Sequence, residues 1–226
     1  MCNQYTPASA TQITRQFGVD LRADYHPADV FPRSQGWFIR SAHHEQQTRE
    51  LVKGQWGLIP SFAKTAHLPY STNNARSEEL EAKASYRQPW ANSQRCIIPV
   101  AAFLEPCWET GKNVWWRFER ADGDAFGLAG LWNTWIDKST GELFESYTML
   151  TMNADHHPLM SRMHKPDPKL PPDAQDKRMV VVLEPETWDE WFTTPAAKAR
   201  QLITMAPTAV FKADPDGSRQ SLKRPS

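Results

Sequence analysis

Cysteine is scarce in this chain. There are three, Cys2, Cys96 and Cys107, an odd number without a C-x-x-C pair. That excludes a disulfide framework and points to a reducing, cytoplasmic setting. Net charge is also missing: 26 Lys and Arg balance 26 Asp and Glu. No global field draws in nucleic acid or an acidic membrane, so any nucleic-acid site must be a local patch. No apolar run approaches the roughly 20 residues of a membrane span, so no membrane partner is expected. The start is polar through Gln16, unlike a signal peptide. No internal repeat or low-complexity linker divides the 226 residues, and that length can bury one sizeable core. His156 and His157 stand side by side without a second ligand cluster at zinc spacing, so neither a metal nor another cofactor is expected.

Tryptophan, by contrast, is abundant, with ten residues. Some belong to a core, and an excess also suits stacking on bases or sugars. Ser9 to Phe17 reads as a short helix, with Ser9 and Gln12 as a capping box. Trp37 to Arg40 and Leu51 to Gly57 read as paired strands across a polar turn holding His43 and His44. Ser77 to Tyr86 is the clearest helix, with Ser77 as its N-cap and acids in its first turn. Cys96 to Val100, Phe103 to Glu109, Val114 to Glu119, Ala125 to Trp135 and Tyr147 to Met152 are rich in aromatic and β-branched residues and read as strands. Gly111, Gly123 and Gly141 punctuate them as turns. Asp155 to Met163 reads as helical, Lys165 to Asp176 as a proline-broken loop, and Met179 to Leu183 as a buried strand. Pro185 to Phe192 and Pro195 to Ile203 read as helices with Pro near their starts. Hairpins with intervening helices and no βαβ rhythm predict an α+β fold. A single domain over 1–212 is expected, with 213–226 as a disordered tail.

Cys2 follows the initiator Met directly. Removal of Met1 would leave an α-amine and a thiol on adjacent carbons, which no internal cysteine offers. Such a pair captures an aldehyde, first as an imine and then as a five-membered thiazolidine. The ordinary alternative is a random residue in a frayed terminus. Asn74-Ala75-Arg76 ends a polar loop: Arg76 can grip a phosphate and Asn74 can orient an amine or a sugar, or the pair can be a loop cap and a surface arginine. Glu105 lies in apolar Phe103-Leu104-Glu105-Pro106, which suits an acid or base, although strand alternation also allows it to face outward. Phe62, at a turn after Pro60, is placed to wedge between bases. His164 follows apolar Met163 and precedes Lys165-Pro166, whereas His156 and His157 read as solvent-facing.

Met1-Cys2, Trp56-Gly57-Leu58-Ile59-Pro60, Asn74-Ala75-Arg76-Ser77-Glu78, Arg95-Cys96-Ile97-Ile98-Pro99, Phe103-Leu104-Glu105, Ala129-Gly130-Leu131-Trp132 and a late His occur in this order. Together they resemble the SRAP family, the SOS response-associated peptidases or abasic-site processing proteins, from Cys2 to about Leu183. The resemblance implies a curved antiparallel β-barrel-like core with flanking helices. It implies a covalent thiazolidine between Cys2 and the ring-opened aldehyde of an abasic site in single-stranded DNA. Cys2 would be the nucleophile, Asn74 would orient its amine, Glu105 would be the acid/base, and His164 would exchange protons with the deoxyribose hydroxyl. Arg76, Phe62, Lys83, Arg87 and Thr151 would contact DNA. The partner would be abasic single-stranded DNA, met by a monomer of bacterial cytoplasmic type that joins the nucleoid when bound. Two other readings stand beside this one: a thiol (auto)peptidase built on Cys2, His164 and Glu105, and a non-catalytic single-strand binding module. Lyase activity by β-elimination would be a side reaction of the crosslinking at the abasic site. The chain departs from the family pattern at Asn3-Gln4, where Gly-Arg is usual, at Tyr25 to Asp29, at Phe62-Ala63, at Pro106, where Trp is usual, and at Lys165 to Lys177, which separates His164 from Arg178-Met179.

Overall fold

Strand β1 (Tyr5–Pro7) leads into helix α1 (Ala10–Arg15), which starts as its sequence prescribes. Ser9 Oγ accepts from the Gln12 backbone, and the Gln12 side chain accepts from the Ser9 backbone. The computed structural model describes residues 2–42 and 49–217, so the turn holding His43 and His44 lies outside the described residues. The strands on either side of it, β2 (Gln35–Ser41) and β3 (Arg49–Trp56), pair antiparallel as expected.

The helix expected over Ser77 to Tyr86 does not form. Asn74–Arg76 instead becomes strand β4, Ser77–Glu79 is a single 3-10 turn, and α2 runs over Ala84–Ala91. The Ser77 side chain caps nothing. Glu78 reaches across to Arg178, with oxygens 2.7 and 2.8 Å from its guanidinium. Tertiary pairing here overrides a favourable local propensity.

The two strands expected between Cys96 and Glu109 are one, β5 (Arg95–Cys107). β6 (Val114–Arg120) folds back on β5, and β8 (Leu143–Asn153) folds back on β7 (Phe126–Ile136), as antiparallel hairpins, but after the Gly123 turn β7 pairs with β5 rather than with β6. Gly111, Gly123 and Gly141 all have left-handed backbones at those turns. Asp155 to Met163 carries only a 3-10 turn, Met160–Arg162. The strand expected over Met179 to Leu183 is split into β9 (Arg178–Val180), which pairs with β8, and β10 (Val182–Leu183), which pairs with β7. The late helices are short, α3 (Trp188–Thr193) and α4 (Ala196–Ala199). β11 (Phe211–Pro215) pairs along β6, so ordered strand runs past the boundary placed at 212.

β5 decides the topology. Its first half pairs with β7 and its second half with β6. Because β2 also touches β5 at Ile39↔Ile97, the path β5–β7–β8–β3–β2 closes on itself as a five-stranded barrel. Alternation along β5 then sorts side chains into two cores. Cys96, Ile98 and Val100 join Phe38, Trp56, Phe103 and Tyr147 in one. Ile97 joins Ile13 of α1, Trp90 of α2 and Trp188 and Trp191 of α3 in the other. The first core fills the barrel and the second seats the helices on its outer wall. The architecture is α+β, as expected.

Candidate active site

Cys2 is not in a frayed terminus. It is fully buried within the barrel's own core cluster. β1 is pinned on both edges: Tyr5 pairs with Phe103 of β5, and the Tyr5 and Val30 backbones exchange hydrogen bonds of 3.2 and 2.8 Å. Gln4 Nε2 and Thr6 Oγ1 donate to the two oxygens of Asp29 at 2.8 and 2.7 Å. Asp29 belongs to the segment where the chain departs from the family pattern, and it serves here as the anchor for the first residues.

Strand β4 lies parallel to β8 and presents Asn74 to Cys2. Asn74 Nδ2 donates to the Cys2 carbonyl at 2.8 Å, and Asn73 Nδ2 reaches the same oxygen at 3.4 Å. Asn74 Oδ1 is buried without a hydrogen-bond partner among the described residues. A buried acceptor is costly to leave unpaired, and this one is ready for an N–H donor beside Cys2. Tyr86 of α2 supports the strand by donating to the Asn74 carbonyl at 3.2 Å.

Glu105, in the second half of β5, is 1 % exposed. His164 Nε2 lies 2.8 Å from Glu105 Oε2. Burial alone would raise the carboxyl's pKa. The positive charge of the chain's amino terminus and the His164 imidazole outweigh that and hold it below its ordinary value. Glu105 is therefore an ionised acceptor at neutral pH, and Nε2 is the donor. Burial pushes the Cys2 thiol well up, and the Glu105 charge pushes it further. Its Sγ donates to the Gln4 carbonyl at 3.4 Å. At pH 7 Cys2 is a thiol facing a base rather than a preformed thiolate.

His164 is held by its backbone. It has φ 63°, and its N–H donates to the Pro106 carbonyl at 2.6 Å. Met163 pairs with Cys107 as an isolated bridge beside it. His157, read as solvent-facing, is 1 % exposed. Its Nδ1 accepts from the Leu159 and Met160 backbones at 3.1 and 3.0 Å, so Nε2 carries the proton that goes to the Ala206 carbonyl at 2.9 Å. Both nitrogens are used structurally.

The expected DNA contacts divide. Arg76 and Lys83 line a cleft of about 260 Å³ with Asn74, Tyr70, Ser71, Thr72 and Tyr86. Arg76 already pairs with Asp176 at 2.5 Å and lies 3.9 Å from Glu79; Lys83 lies 3.6 Å from the same glutamate. Because Arg76 ends a strand and Ser77–Glu79 is one turn, helix amides do not add to its grip on an anion. Arg87 is exposed one turn beyond Lys83 on α2. Phe62 is 57 % exposed on the loop after Pro60. That loop is fastened by Ser61 to Gln88 at 2.6 Å and by Trp135 Nε1 to the Ala63 carbonyl at 3.0 Å. Thr151 requires correction: it is 1 % exposed, and its hydroxyl points to the Ala75 carbonyl at 3.5 Å. It holds β8 against β4 and offers no surface to DNA. Among the described residues no group of three or more His, Cys, Asp and Glu could hold a metal ion, and no helix is long and apolar enough to cross a membrane. Asn73, Tyr86 and Asp29 escaped the sequence reading, and so did Lys177; each acts through a contact between segments distant in sequence.

Fold and site together define a class: a closed α+β barrel that buries an N-terminal-proximal cysteine beside a carboxylate–imidazole pair. The chain belongs to the SRAP family; the pattern described as "SOS response associated peptidase (SRAP)" matches residues 1–215. The abasic site processing protein YoqW of Bacillus subtilis (strain 168) is 31% identical over 198 residues, which is 84% of this chain and 80% of YoqW. The abasic site processing protein HMCES of Gallus gallus is 26% identical over 212 residues, covering 80% of this chain and 58% of its own. A crystal structure of a Bordetella bronchiseptica protein superposes with a TM-score of 0.84 at 36% identity, over 95% of this chain and 99% of that one.

Proposed function

We propose that this protein processes abasic sites by linking Cys2 covalently to the ring-opened sugar in single-stranded DNA. The observation that carries this reading is the convergence on Cys2 of Asn74, which holds its carbonyl, and of the ionised Glu105 paired with His164. Removal of Met1 frees the Cys2 amine. The amine attacks the C1′ aldehyde carbon and water leaves, giving an imine. Sγ then adds to that carbon. The thiol proton passes to Glu105 and on to the ring nitrogen, so the net change is loss of one water. Asn74 Oδ1 orients the attacking N–H, and His164 exchanges protons with the sugar hydroxyl as the ring opens. Arg76, Lys83 and Arg87 take the flanking phosphates, and Phe62 packs on an adjacent base.

The protonated state of the thiol favours this order over a peptidase mechanism. A peptidase needs a thiolate, made by a cationic neighbour, whereas here burial and the Glu105 charge outweigh the positive amino terminus and keep the thiol up. The test is incubation with a single strand carrying one abasic site. Wild type should give a heat-resistant shifted band and Cys2→Ala none. Equal bands from the two proteins would end the proposal, and equal affinity for intact and abasic strands without a covalent product would leave a binding module in its place.

A further inference from the structure

Lys177 is the last residue of the segment that separates His164 from Arg178-Met179. It is 7 % exposed, which is unusual for a lysine whose ammonium has no carboxylate within ion-pair distance among the described residues. Its Nζ donates to the Met163 carbonyl at 2.7 Å and to the His164 carbonyl at 2.6 Å. Its own backbone is fixed, because its N–H donates to Asp155 Oδ1 at 2.8 Å and its carbonyl accepts from the Ala154 N–H at 2.7 Å. Asp155 also accepts from the Asp176 N–H at 3.1 Å and from Asn153 Nδ2 at 2.9 Å. The ammonium thus extends from a rigid base at the end of β8 to the peptide on either side of His164.

That peptide needs holding. His164 has φ 63°, a left-handed backbone that a β-carbon disfavours. Such a conformation persists only where its surroundings over-determine it. On its N-terminal side the Pro106 carbonyl takes the His164 N–H. On its C-terminal side the chain enters Lys165-Pro166, and Lys177 is what fastens the His164 carbonyl. With both ends tied, the imidazole is delivered to Glu105 at 2.8 Å.

The geometry points to Lys177 as a positioning residue for the crosslinking reaction: its ammonium locks His164 in the left-handed conformation that sets Nε2 on Glu105. This inference rests on the crosslinking role proposed above for Glu105 and His164. It also gives the Lys165 to Lys177 segment a purpose, that of returning a buried cation under the catalytic histidine. Burial lowers the lysine's pKa, while Asp155 opposes that shift.

Lys177→Met keeps the length of the side chain and removes its charge and its donors. Lys177→Arg keeps both. Three quantities are read on each: the crosslinking rate at saturating abasic strand, the affinity for the same strand without the lesion, and the His164 Nε2–H proton resonance, assigned by its absence in His164→Gln. Lys177→Met is expected to slow crosslinking at least tenfold, to leave the affinity within twofold, and to broaden or shift the Nε2–H resonance. Lys177→Arg should restore both rate and resonance at least in part. Wild-type rate and resonance in a folded Lys177→Met overturn the inference. So does a fall in affinity that matches the fall in rate, which would make Lys177 a DNA contact. If Lys177→Met does not fold, Lys177→Gln is judged by the same criteria. If wild type forms no crosslink, the functional reading fails, while the resonance still decides whether Lys177 holds His164.

Discussion

At the scale of single residues, Cys2 and Glu105 govern each other's protons. The thiol is pushed up by burial and by the nearby carboxylate, and the carboxylate, although buried, is held below its ordinary value by positive neighbours. Glu105 therefore stays ionised as pH falls past the ordinary carboxylate range. The sign follows for activity: the base is present above its lowered pKa and is lost only when pH drops through that value. The acid limb of the crosslinking pH–rate profile should thus be set by the amine, which must be neutral to attack and titrates at about 7.7–8.0 in model peptides. Glu105→Gln should slow the reaction by roughly 10²-fold or more, the usual weight of a positioned acid or base. A near-wild-type rate in that variant would remove Glu105 from the chemistry. His157 is a different case. Replacing it by Ala strands the Leu159 and Met160 N–H groups and the Ala206 carbonyl. At about 1–3 kcal/mol for a buried polar group left unpaired, His157→Ala should lower unfolding free energy by roughly 2 kcal/mol while its folded fraction still crosslinks. Unchanged urea stability would show that those groups find other partners.

At the scale of elements, packing is tight where β5, β7 and β8 meet. A Cβ placed on Gly130 would stand 2.7 Å from Cys96 Sγ and 2.7 Å from the Thr148 carbonyl oxygen. The sulfur could turn, but the carbonyl is part of a paired strand and cannot. Gly130→Ala should therefore cost about 1–3 kcal/mol, as overpacking does. A urea midpoint within error of wild type would show that the strands can separate at no cost. The strands themselves were legible because aromatic and β-branched residues cluster between glycine turns, and α1 was legible from Ser9 and Gln12. What the sequence hid is long-range. Ser77-Glu78-Glu79 looks like a helix start until Glu78 is seen to serve Arg178, some 100 positions away. The Met179 to Leu183 run looks continuous until its halves are seen to join different neighbours. The site divides in the same way. Cys2, Asn74, Glu105 and His164 could be named from their chemistry and family motifs, whereas Lys177, Asp29 and Asn73 carry no signal outside the fold.

At the scale of the whole molecule, zero formal charge sets how the protein can hold DNA. Affinity must come from a few local cations, and the cleft cations are partly spent on internal carboxylates. Arg76 pairs with Asp176, and Asp176 also takes Arg178 at 3.1 Å. A phosphate that engages Arg76 has to compete with that carboxylate. For single strands, log affinity falls with log salt by about 0.7 per phosphate neutralised, so three cations working fully would give a slope of roughly −2. The Asp176 pair should bring it to about −1.4. Asp176→Asn then becomes a direct test. Asp176 has φ 52°, and Asn is among the few residues that adopt such a backbone readily. Arg178 keeps both Glu78 contacts, so the fold should hold. Releasing Arg76 should tighten binding of an intact single strand a few-fold at low salt, steepen the slope by about 0.7, and lose its advantage as salt rises. Fluorescence anisotropy across a salt series measures all three. The comparison that matters is with Arg76→Ala. If Asp176→Asn tightens binding as much in the Arg76→Ala background as in wild type, the gain comes from removing a negative charge anywhere near the strand, and the competition between Asp176 and the DNA phosphate for Arg76 is refuted.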